Sequence, residues 1–243
     1  MQQTIFEILT NEKIAKDVYK MVLAGDTSAL TKPGQFVNIK LDGFFLRRPI
    51  SVCDYNENEL TLIYKVVGNG TEVMSNMCKG EKLDVLTGLG NGFDTTVSGE
   101  KPVVIGGGVG VPPMFNLARK LIEEGKKVTA VLGFNKEEEI FYKDEFEKLG
   151  AEVKITTVDG SVGVKGFVTD AMKEIDFTYT YCCGPEPMLK AVYNASDKDG
   201  QFSFEERMGC GFGACMGCSC KTKYGNKRIC KEGPVLCKEE IIW

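Results

Sequence analysis

The chain has 243 residues, a formal net charge of −4, ten cysteines and no histidine. Without histidine it has no Ser-His-Asp triad, no histidine general base and no Rieske cluster with histidine ligands. No basic stripe indicates nucleic acid as a partner, and no apolar run of about 18 residues indicates a membrane span. Many thiols without an export signal at the N-terminus are typical of a reducing compartment, so we expect a cytoplasmic protein.

Residues 1–98 are predicted to form short strands separated by turns. Strands are expected at residues 5–9, 18–23, 36–41, 50–55, 60–67 and 82–86. Turn signals such as Pro33-Gly34 and Lys79-Gly80 separate them, and a short helix is expected at residues 72–77. Closely spaced β-rich segments of this kind are typical of a small antiparallel β-barrel.

Residues 99–205 show a different pattern, in which strands alternate with helices. Strands are expected at 103–105, 128–132, 152–157, 178–182 and 201–205, and helices at about 115–122, 143–149, 168–173 and 187–196. This alternation predicts βαβ units around a parallel sheet, as in a Rossmann-like domain. The loop-rich residues 206–243 are predicted to form a third, small domain.

Four cysteines near the C-terminus have the spacing of an iron–sulfur site. Cys210, Cys215 and Cys218 follow the pattern C-x4-C-x2-C, and Cys230 lies further on. This is the plant-type spacing for a [2Fe–2S] cluster. Cys237 also qualifies by distance as the fourth ligand, but the Gly-Pro turn after Cys230 favours Cys230.

Zinc and disulfide bonds are the alternatives for these cysteines. Structural zinc sites usually contain two C-x2-C pairs, whereas only Cys215 and Cys218 have that form here. Disulfide frameworks are typical of small secreted chains rather than one of this length. The spacing therefore favours the cluster, which transfers single electrons and makes no bonds itself.

Two glycine-rich turns predict a dinucleotide site. Gly108-Val109-Gly110 follows a predicted strand and precedes a predicted helix, although Pro113 stands where the usual third glycine would be. Cys183-Gly184-Pro185 also joins a strand to a helix, so both turns would lie at the carboxyl edge of the sheet. Alone, the first turn fits a plain tight turn better than a pyrophosphate site, and only the second turn at the same edge favours the dinucleotide site.

Three places in the predicted barrel are candidates for a flavin site. Arg48-Pro49-Ile50-Ser51 offers a guanidinium and a hydroxyl to a diphosphate and an isoalloxazine edge, although paired arginines are often only a solvated face. Ile63-Tyr64-Lys65 lies shortly before Gly70-Thr71, whose amides are expected to face a phosphate. The alternative is a plain turn with Thr71 as the N-cap of the following helix.

The motifs in this order resemble those of the ferredoxin–NADP reductase superfamily. The resemblance includes Arg48-Pro49-Ile50-Ser51, Gly70-Thr71, the glycine-rich residues 88–93, the Gly108–Pro113 turn and the motif at 183–188. The cluster loop at 206–215 and the ending at 230–235 are similar to the electron-transfer subunits of class 1B dihydroorotate dehydrogenases. This resemblance extends over essentially the whole chain.

The resemblance implies a flavin-binding β-barrel, a Rossmann-like NAD domain and a C-terminal [2Fe–2S] domain. It implies that FAD is held by Arg48, Pro49, Ile50, Ser51, Ile63, Tyr64, Lys65, Gly70 and Thr71, and the cluster by Cys210, Cys215, Cys218 and Cys230. Gly108, Gly110 and Cys183 would border the NAD site, with Cys183 where nicotinamide meets flavin. Trp243 lies beyond the cluster residues, so the flavin-covering role of a terminal aromatic is not assigned to it.

The implied activity is electron transfer from the FMN of a dihydroorotate dehydrogenase catalytic subunit, through the cluster and FAD, to NAD⁺ in pyrimidine biosynthesis. The implied assembly is a heterotetramer with two subunits of each kind. The acidic residues 137–139 favour NAD over NADP, since they would repel a 2′-phosphate. The alternatives are a reductase subunit of a sulfhydrogenase or of a bifurcating ferredoxin–NADP reductase, and a non-enzymatic redox-sensing module.

Overall fold

The N-terminal part of the computed structural model, which describes residues 1–243, is a closed antiparallel barrel. Its strands close in the order β1-β2-β5-β4-β3-β6. They are β1 (Gln2–Ala15), β2 (Val18–Ala24), β3 (Phe36–Lys40), β4 (Arg48–Tyr55), β5 (Glu59–Lys65) and β6 (Lys82–Leu89), with helix α1 (Asn69–Ser75) after β5. The predicted barrel is confirmed.

Strand β1 is much longer than the predicted residues 5–9. Its first half pairs with β6, and its second half continues along β2, where Glu12 lies opposite Lys20. The second half is mostly polar, so it gave no strand signal in the sequence. The side chains that alternate toward the barrel interior, such as Phe6 and Ile8, are fully buried in a core of 15 residues.

The middle part of the chain forms the predicted parallel sheet. Its strands and helices are β7 (Pro102–Gly107), α2 (Val111–Glu123), β8 (Thr129–Phe134), α3 (Lys143–Leu149), β9 (Glu152–Thr157), β10 (Val164–Lys165), α4 (Val168–Met172), β11 (Tyr179–Cys183), α5 (Glu186–Ala195) and β12 (Gly200–Ser203). The sheet order is β10-β9-β8-β7-β11-β12, and a last strand from the C-terminal residues, β15 (Val235–Cys237), follows β12. No helix in the structure has both the length and the apolar character needed to cross a bilayer.

The C-terminal residues pack and pair with the rest of the structure and do not form a separate appendage. A hairpin of β13 (Ser219–Thr222) and β14 (Gly225–Arg228) follows the first three cluster cysteines. Strand β15 (Val235–Cys237) then adds to the large sheet antiparallel to β12. These three short strands were not predicted, because their sequences lack apolar alternation. The domain limits at 98 and 205 stay a prediction, and β15 shows that residues beyond 205 share a sheet with the middle part.

The barrel and the parallel sheet are connected by polar contacts between β4 and α2. The carboxylate of Asp54 accepts hydrogen bonds from Asn116 at 2.8 Å and from Arg119 at 2.6 Å. Arg119 also donates to the carbonyl of Tyr55 at 3.1 Å. A second ion pair joins Lys16 and Glu138 at 2.7 Å. These contacts join the barrel to the parallel sheet.

Replacing Asp54 with alanine should destabilise the junction, because Arg119 and Asn116 both lose a partly buried acceptor. We expect the free energy of unfolding to fall by about 1–3 kcal/mol in urea titrations. Asp176→Ala is the matched control, since its carboxylate is 84% exposed and pairs with Lys101 at 2.7 Å. The control should change stability by less than about 0.5 kcal/mol. Equal effects of the two substitutions would contradict this account of the junction.

Candidate functional site: two glycine turns, a flavin cradle and a cluster loop

The two glycine-rich turns lie side by side at the carboxyl edge of the sheet. Strands β7 and β11 are parallel neighbours, and Cys183 lies opposite Gly106. A Cβ atom on Gly110 would lie 2.2 Å from the carbonyl oxygen of Cys183, so no larger residue fits there. Gly108 has a φ of +53°, and a Cβ placed on it would meet no atom within 4 Å. The sheet edge therefore has room for a ligand beside Gly108, whereas the space beside Gly110 is filled by the backbone of Cys183.

The start of helix α2 differs from the usual dinucleotide fingerprint. The helix begins at Val111, and Pro112 and Pro113 occupy its first turn. Prolines fit this turn because their missing amides would have no partner inside the helix. The same two prolines offer no N–H to a phosphate, so donors must come from the turn that precedes the helix.

Cys183 is a neutral thiol at the end of β11. Burial raises the pKa of Cys183 to about 12, although a hydrogen bond from the side chain of Ser203 works in the opposite direction. A thiol that stays protonated is a weak nucleophile. A protonated thiol at this edge of the sheet suits contact with a ligand rather than covalent chemistry.

The two neighbouring arginines of the flavin motif have different roles. Arg47 forms an ion pair with the Asp84 carboxylate at 2.9 Å and donates a hydrogen bond to the Asp84 backbone carbonyl at 3.0 Å, so its guanidinium is already occupied. Arg48 lies over the ring of Phe44 and donates only to backbone carbonyls of the preceding loop. Arg48 is thus the arginine that can receive an anion.

Arg48 reaches the start of helix α1. A Cβ on Gly70 would lie 2.1 Å from Nε of Arg48. The amides of Asn69, Gly70 and Thr71 have no acceptor within the protein. A guanidinium beside several open amides matches the chemistry of a diphosphate. The residues of this cradle therefore fit the pyrophosphate of FAD.

Helix α1 starts earlier than expected, and Thr71 is not its N-cap. The helix begins at Asn69 instead of residue 72, which places Thr71 in its first turn. The Thr71 hydroxyl accepts from the amides of Val67 at 3.0 Å and Gly68 at 3.3 Å, and donates to the Gly68 carbonyl at 2.9 Å. These bonds tighten the turn before the helix. They leave the Thr71 amide, rather than its hydroxyl, for a ligand.

The remaining flavin-motif residues occupy two adjacent strands of the barrel. On β4, Pro49 and Ser51 lie opposite Asn38 and Phe36 of β3. On β5, the Tyr64 ring is buried in the barrel core and its hydroxyl donates to Asn11 at 2.9 Å. Burial accordingly raises the pKa of Tyr64.

Ile50, Ile63 and Lys65 complete this set. Ile50 packs against the barrel core, Ile63 is buried at the junction with the sheet, and Lys65 is half-buried. For Ile63 and Tyr64 the backbone, rather than the side chain, is the part left to contact a cofactor. The FAD-binding roles of all these residues stay predictions.

The first two cluster cysteines share a loop whose amides point at sulfur. The Ala214 amide donates to Sγ of Cys210 at 3.2 Å. Partial burial alone would raise the pKa of Cys210, but hydrogen bonds from the amides of Phe212, Cys215 and Ala214 and from the Cys215 side chain lower it to about 6. A loop that stabilises thiolate before any metal is bound is suited to an anionic cluster.

The other two cysteines form a second, more deeply buried pair. The Cys230 amide donates to Sγ of Cys218 at 3.4 Å, and both residues are 2% exposed. Burial and the neighbouring Cys218 raise the pKa of Cys230 to about 12. Cys237, the alternative fourth ligand, is exposed on β15.

The four sulfurs are thus arranged as two pairs, which fits two irons with two thiolates each. All ten cysteines are free, so no disulfide framework is formed. The residues fit a [2Fe–2S] cluster better than zinc or disulfides.

Two contacts that the sequence did not reveal hold the cluster loop in place. Asn91, in the glycine-rich turn after β6, donates to the Val235 carbonyl at 2.7 Å and accepts from the Val235 amide at 3.1 Å. Arg228 binds the Gly213 carbonyl and forms an ion pair with Glu232. The hydrogen bond from Arg228 lowers the pKa of Glu232 to about 2.

Comparisons with known proteins agree with this arrangement. Residues 205–242 match the family model described as the iron–sulfur cluster binding domain of dihydroorotate dehydrogenase B. Residues 104–194 match the oxidoreductase NAD-binding domain. The chain is 46% identical to the dihydroorotate dehydrogenase B (NAD⁺) electron transfer subunit of Fusobacterium nucleatum, with 95% of each chain covered. The chain belongs to this family of electron transfer subunits.

Other relatives of this family and one solved structure are similarly close. The electron transfer subunit from Geobacillus sp. (strain WCH70) is 44% identical and covers 100% of this chain and 99% of its own. The structure of an NADH-dependent reduced ferredoxin-NADP oxidoreductase superposes with a TM-score of 0.88 at 31% identity, covering 98% of this chain and 90% of that chain. The cytochrome b5 reductase domain of Ulva prolifera nitrate reductase shares the fold, with a TM-score of 0.65 at 18% identity over 78% of this chain and 89% of its own.

Cys230 and Cys237 can be distinguished by two serine substitutions. Cys230→Ser should lose the cluster, because its buried sulfur is paired with Cys218. Cys237→Ser is the matched control and should retain the cluster, because its side chain is exposed on β15. Iron and acid-labile sulfide per chain, together with the visible spectrum, measure the outcome. Loss of the cluster only in Cys237→Ser would contradict the assignment.

Gly110→Ala should distort the carboxyl edge of the sheet at which we expect NAD to bind, here called the NAD edge. The reason is that the new Cβ would overlap the Cys183 carbonyl. We expect a loss of about 1–3 kcal/mol in stability from overpacking. Reduction of bound flavin by NADH should slow at least about tenfold, since reacting groups tolerate little displacement. Gly125→Ala is the control, because a Cβ there meets nothing within 4 Å. Gly125 has a φ of +81° and Gly110 a φ of −81°, so the control carries the backbone cost of alanine without the steric overlap. Unchanged flavin reduction in Gly110→Ala would show that this edge is not the nicotinamide site.

Proposed function

We propose that this chain is the electron-transfer subunit of a dihydroorotate dehydrogenase that reduces NAD⁺. It would carry electrons from the FMN of a catalytic subunit through a [2Fe–2S] cluster and FAD to NAD⁺, in pyrimidine biosynthesis. The observation that carries the proposal is that Cys218 and Cys230 share one hydrophobic cluster with Phe36 of β3, the strand that pairs with the flavin-motif strand β4. The two candidate cofactor sites are thus separated by a single strand.

Each of the three groups of site residues would bind a different part of the cofactors. A bound flavin exchanges hydride with NAD and single electrons with a cluster, which is the conversion that this pathway needs. Arg48 and the open amides of α1 would bind the diphosphate, and Gly108, Gly110 and Cys183 would border the nicotinamide. The two cysteine pairs would hold the cluster.

The proposed partner is an FMN-containing dihydroorotate dehydrogenase catalytic subunit, in a heterotetramer with two subunits of each kind. The contact should lie near the cluster loop, because electron transfer requires proximity. Phe212 and Met216 of this loop are 44% and 55% exposed, which is unusual for large apolar side chains and typical of an interface. A cytoplasmic location stays a prediction.

The preference for NAD over NADP is proposed on the acidic residues after β8. Glu138 pairs with Lys16, and Glu139 accepts from the Asn135 side chain at 2.8 Å. These contacts fix the acidic turn at the end of β8 in place. Its negative charge at this edge would disfavour a 2′-phosphate.

A second candidate is the NADH-dependent flavin subunit of a different complex. It is favoured by the similarity, at a TM-score of 0.88, to the ferredoxin-NADP oxidoreductase structure, which covers nearly the whole chain. The two candidates share the same cofactors and the same NAD edge. They differ in the subunit that exchanges electrons with the cluster.

The decisive experiment mixes this protein anaerobically with the dihydroorotate dehydrogenase catalytic subunit from the same source. NADH formation from dihydroorotate and NAD⁺ is then followed by absorbance. Each dihydroorotate oxidised releases two electrons and two protons, and NAD⁺ takes up both electrons with one proton. Turnover that requires both proteins supports the proposal. A holoprotein that NADH reduces, but that yields no turnover with this subunit, would favour the second candidate.

Cys215→Ser should separate the two halves of the electron path. The substitution removes a ligand of the first cysteine pair, so turnover with the catalytic subunit should fall to background. NADH-dependent reduction of a dye at FAD should continue, because the NAD edge and the flavin cradle are unchanged. Cys78→Ser is a control, since Cys78 is exposed in the turn before β6. Partner-linked turnover that survives in Cys215→Ser would contradict the proposed order of cofactors.

A further inference from the structure

Strand β3 has two faces with different partners. Val37 and Ile39 point into the barrel core, where both are fully buried. The alternate residues Phe36 and Asn38 point outward, yet they are also buried, at 3% and 1% exposure. The cluster residues cover this outer face, since Phe36 packs in one hydrophobic cluster with Cys218 and Cys230.

Asn38 is the polar residue at the centre of this covered face. Its side-chain amide donates to the carbonyl of the cluster ligand Cys210 at 3.2 Å. Gly211 makes room for this contact, because a Cβ there would lie 2.3 Å from the Asn38 amide nitrogen. The Asn38 Oδ1 atom is buried and has no hydrogen-bond partner. Burying an unsatisfied polar atom costs about 1–3 kcal/mol, so a residue that only filled space would be apolar.

The register of β3 and β4 relates Asn38 to the flavin motif. Asn38 lies opposite Pro49, and Phe36 lies opposite Ser51. Side chains directly opposite in an antiparallel pair share one face of the sheet. Pro49 and Ser51 therefore lie on the same face as Asn38, one strand away. The backbone carbonyl of Asn38 also accepts from Arg47 at 3.2 Å, which fixes this part of β3.

We propose that Asn38 is the positioning residue that holds the cluster loop at a fixed separation from the flavin strand. Its amide ties the backbone of the first cluster ligand to β3, one strand from Pro49 and Ser51. The inference rests on the proposed function, because it concerns electron transfer between FAD and the cluster. Asn38 acts through Cys210 and does not ligate the metal.

The test uses two variants that remove the donor in different ways. Asn38→Leu keeps the approximate volume and carries no charge, whereas Asn38→Asp keeps the shape but presents only acceptors to the Cys210 carbonyl. Asn226→Asp is the matched control, because Asn226 is exposed on β14 and gains the same charge. Iron content and bound FAD are measured first for each purified holoprotein.

Each holoprotein is then mixed anaerobically with NADH in a stopped-flow instrument. The first phase reports flavin reduction, and the second reports reduction of the cluster, which freeze-quench EPR confirms. In both Asn38 variants the first phase should match the wild type, and the second should slow at least about tenfold, as an ångström-scale misplacement can produce. The Asn226→Asp control should match the wild type in both phases.

Two results would overturn the inference. One is a second phase at the wild-type rate in both Asn38 variants with FAD and cluster loaded. The other is loss of cluster loading in both variants with no slowing in the loaded fraction, which would make Asn38 a purely structural residue. Asn38→Ser, which is shorter and uncharged, serves as the further variant if Asn38→Leu does not fold. Failure of the proposed function would look different, since the wild type would then be reduced by NADH as expected but would give no turnover with the dihydroorotate dehydrogenase catalytic subunit.

Discussion

The contact between the outer face of strand β3 and the cluster residues fixes the position of the two candidate cofactor sites relative to each other. A one-electron carrier is useful only close to the flavin that fills or empties it. In this chain Cys218 and Cys230 share one hydrophobic cluster with Phe36, and the Asn38 side chain donates a hydrogen bond to the Cys210 carbonyl. The same strand pairs directly with β4, which carries the flavin motif. Strand β3 therefore lies between the two candidate cofactor sites.

Several contacts with other parts of the chain hold the cluster residues against strand β3. Strand β15 joins them to the parallel sheet, and Asn91 binds Val235, the first residue of β15, to the end of the barrel. Arg228 connects the hairpin to the cluster loop and to Glu232. These are backbone and charge-assisted bonds with little freedom to slide. The loop can consequently present Phe212 and Met216 outward while its inner side stays fixed.

Much of the fold could be predicted because periodicity is a local signal. The barrel and the alternating sheet follow from spacing along the chain, and the predicted cysteine ligands rest on a spacing signal of the same kind. Strands β13 to β15 were missed because their stability comes from pairing with distant partners, which leaves no local pattern. The N-terminal extent of α1 was also missed, since Gly68 and Asn69 look like a turn. Asn38 and Asn91 were missed because a single asparagine gives no signal until its partners, about 140 residues or more away in sequence, are known.

We expect this chain alone to carry electrons from NADH to the cluster. The most direct test adds NADH anaerobically to the isolated holoprotein, without any partner, and records the EPR spectrum of the cluster. The account predicts that the signal of the reduced cluster appears together with bleaching of the flavin. A flavin that bleaches while the cluster stays oxidised, although dithionite can reduce it, would contradict the account.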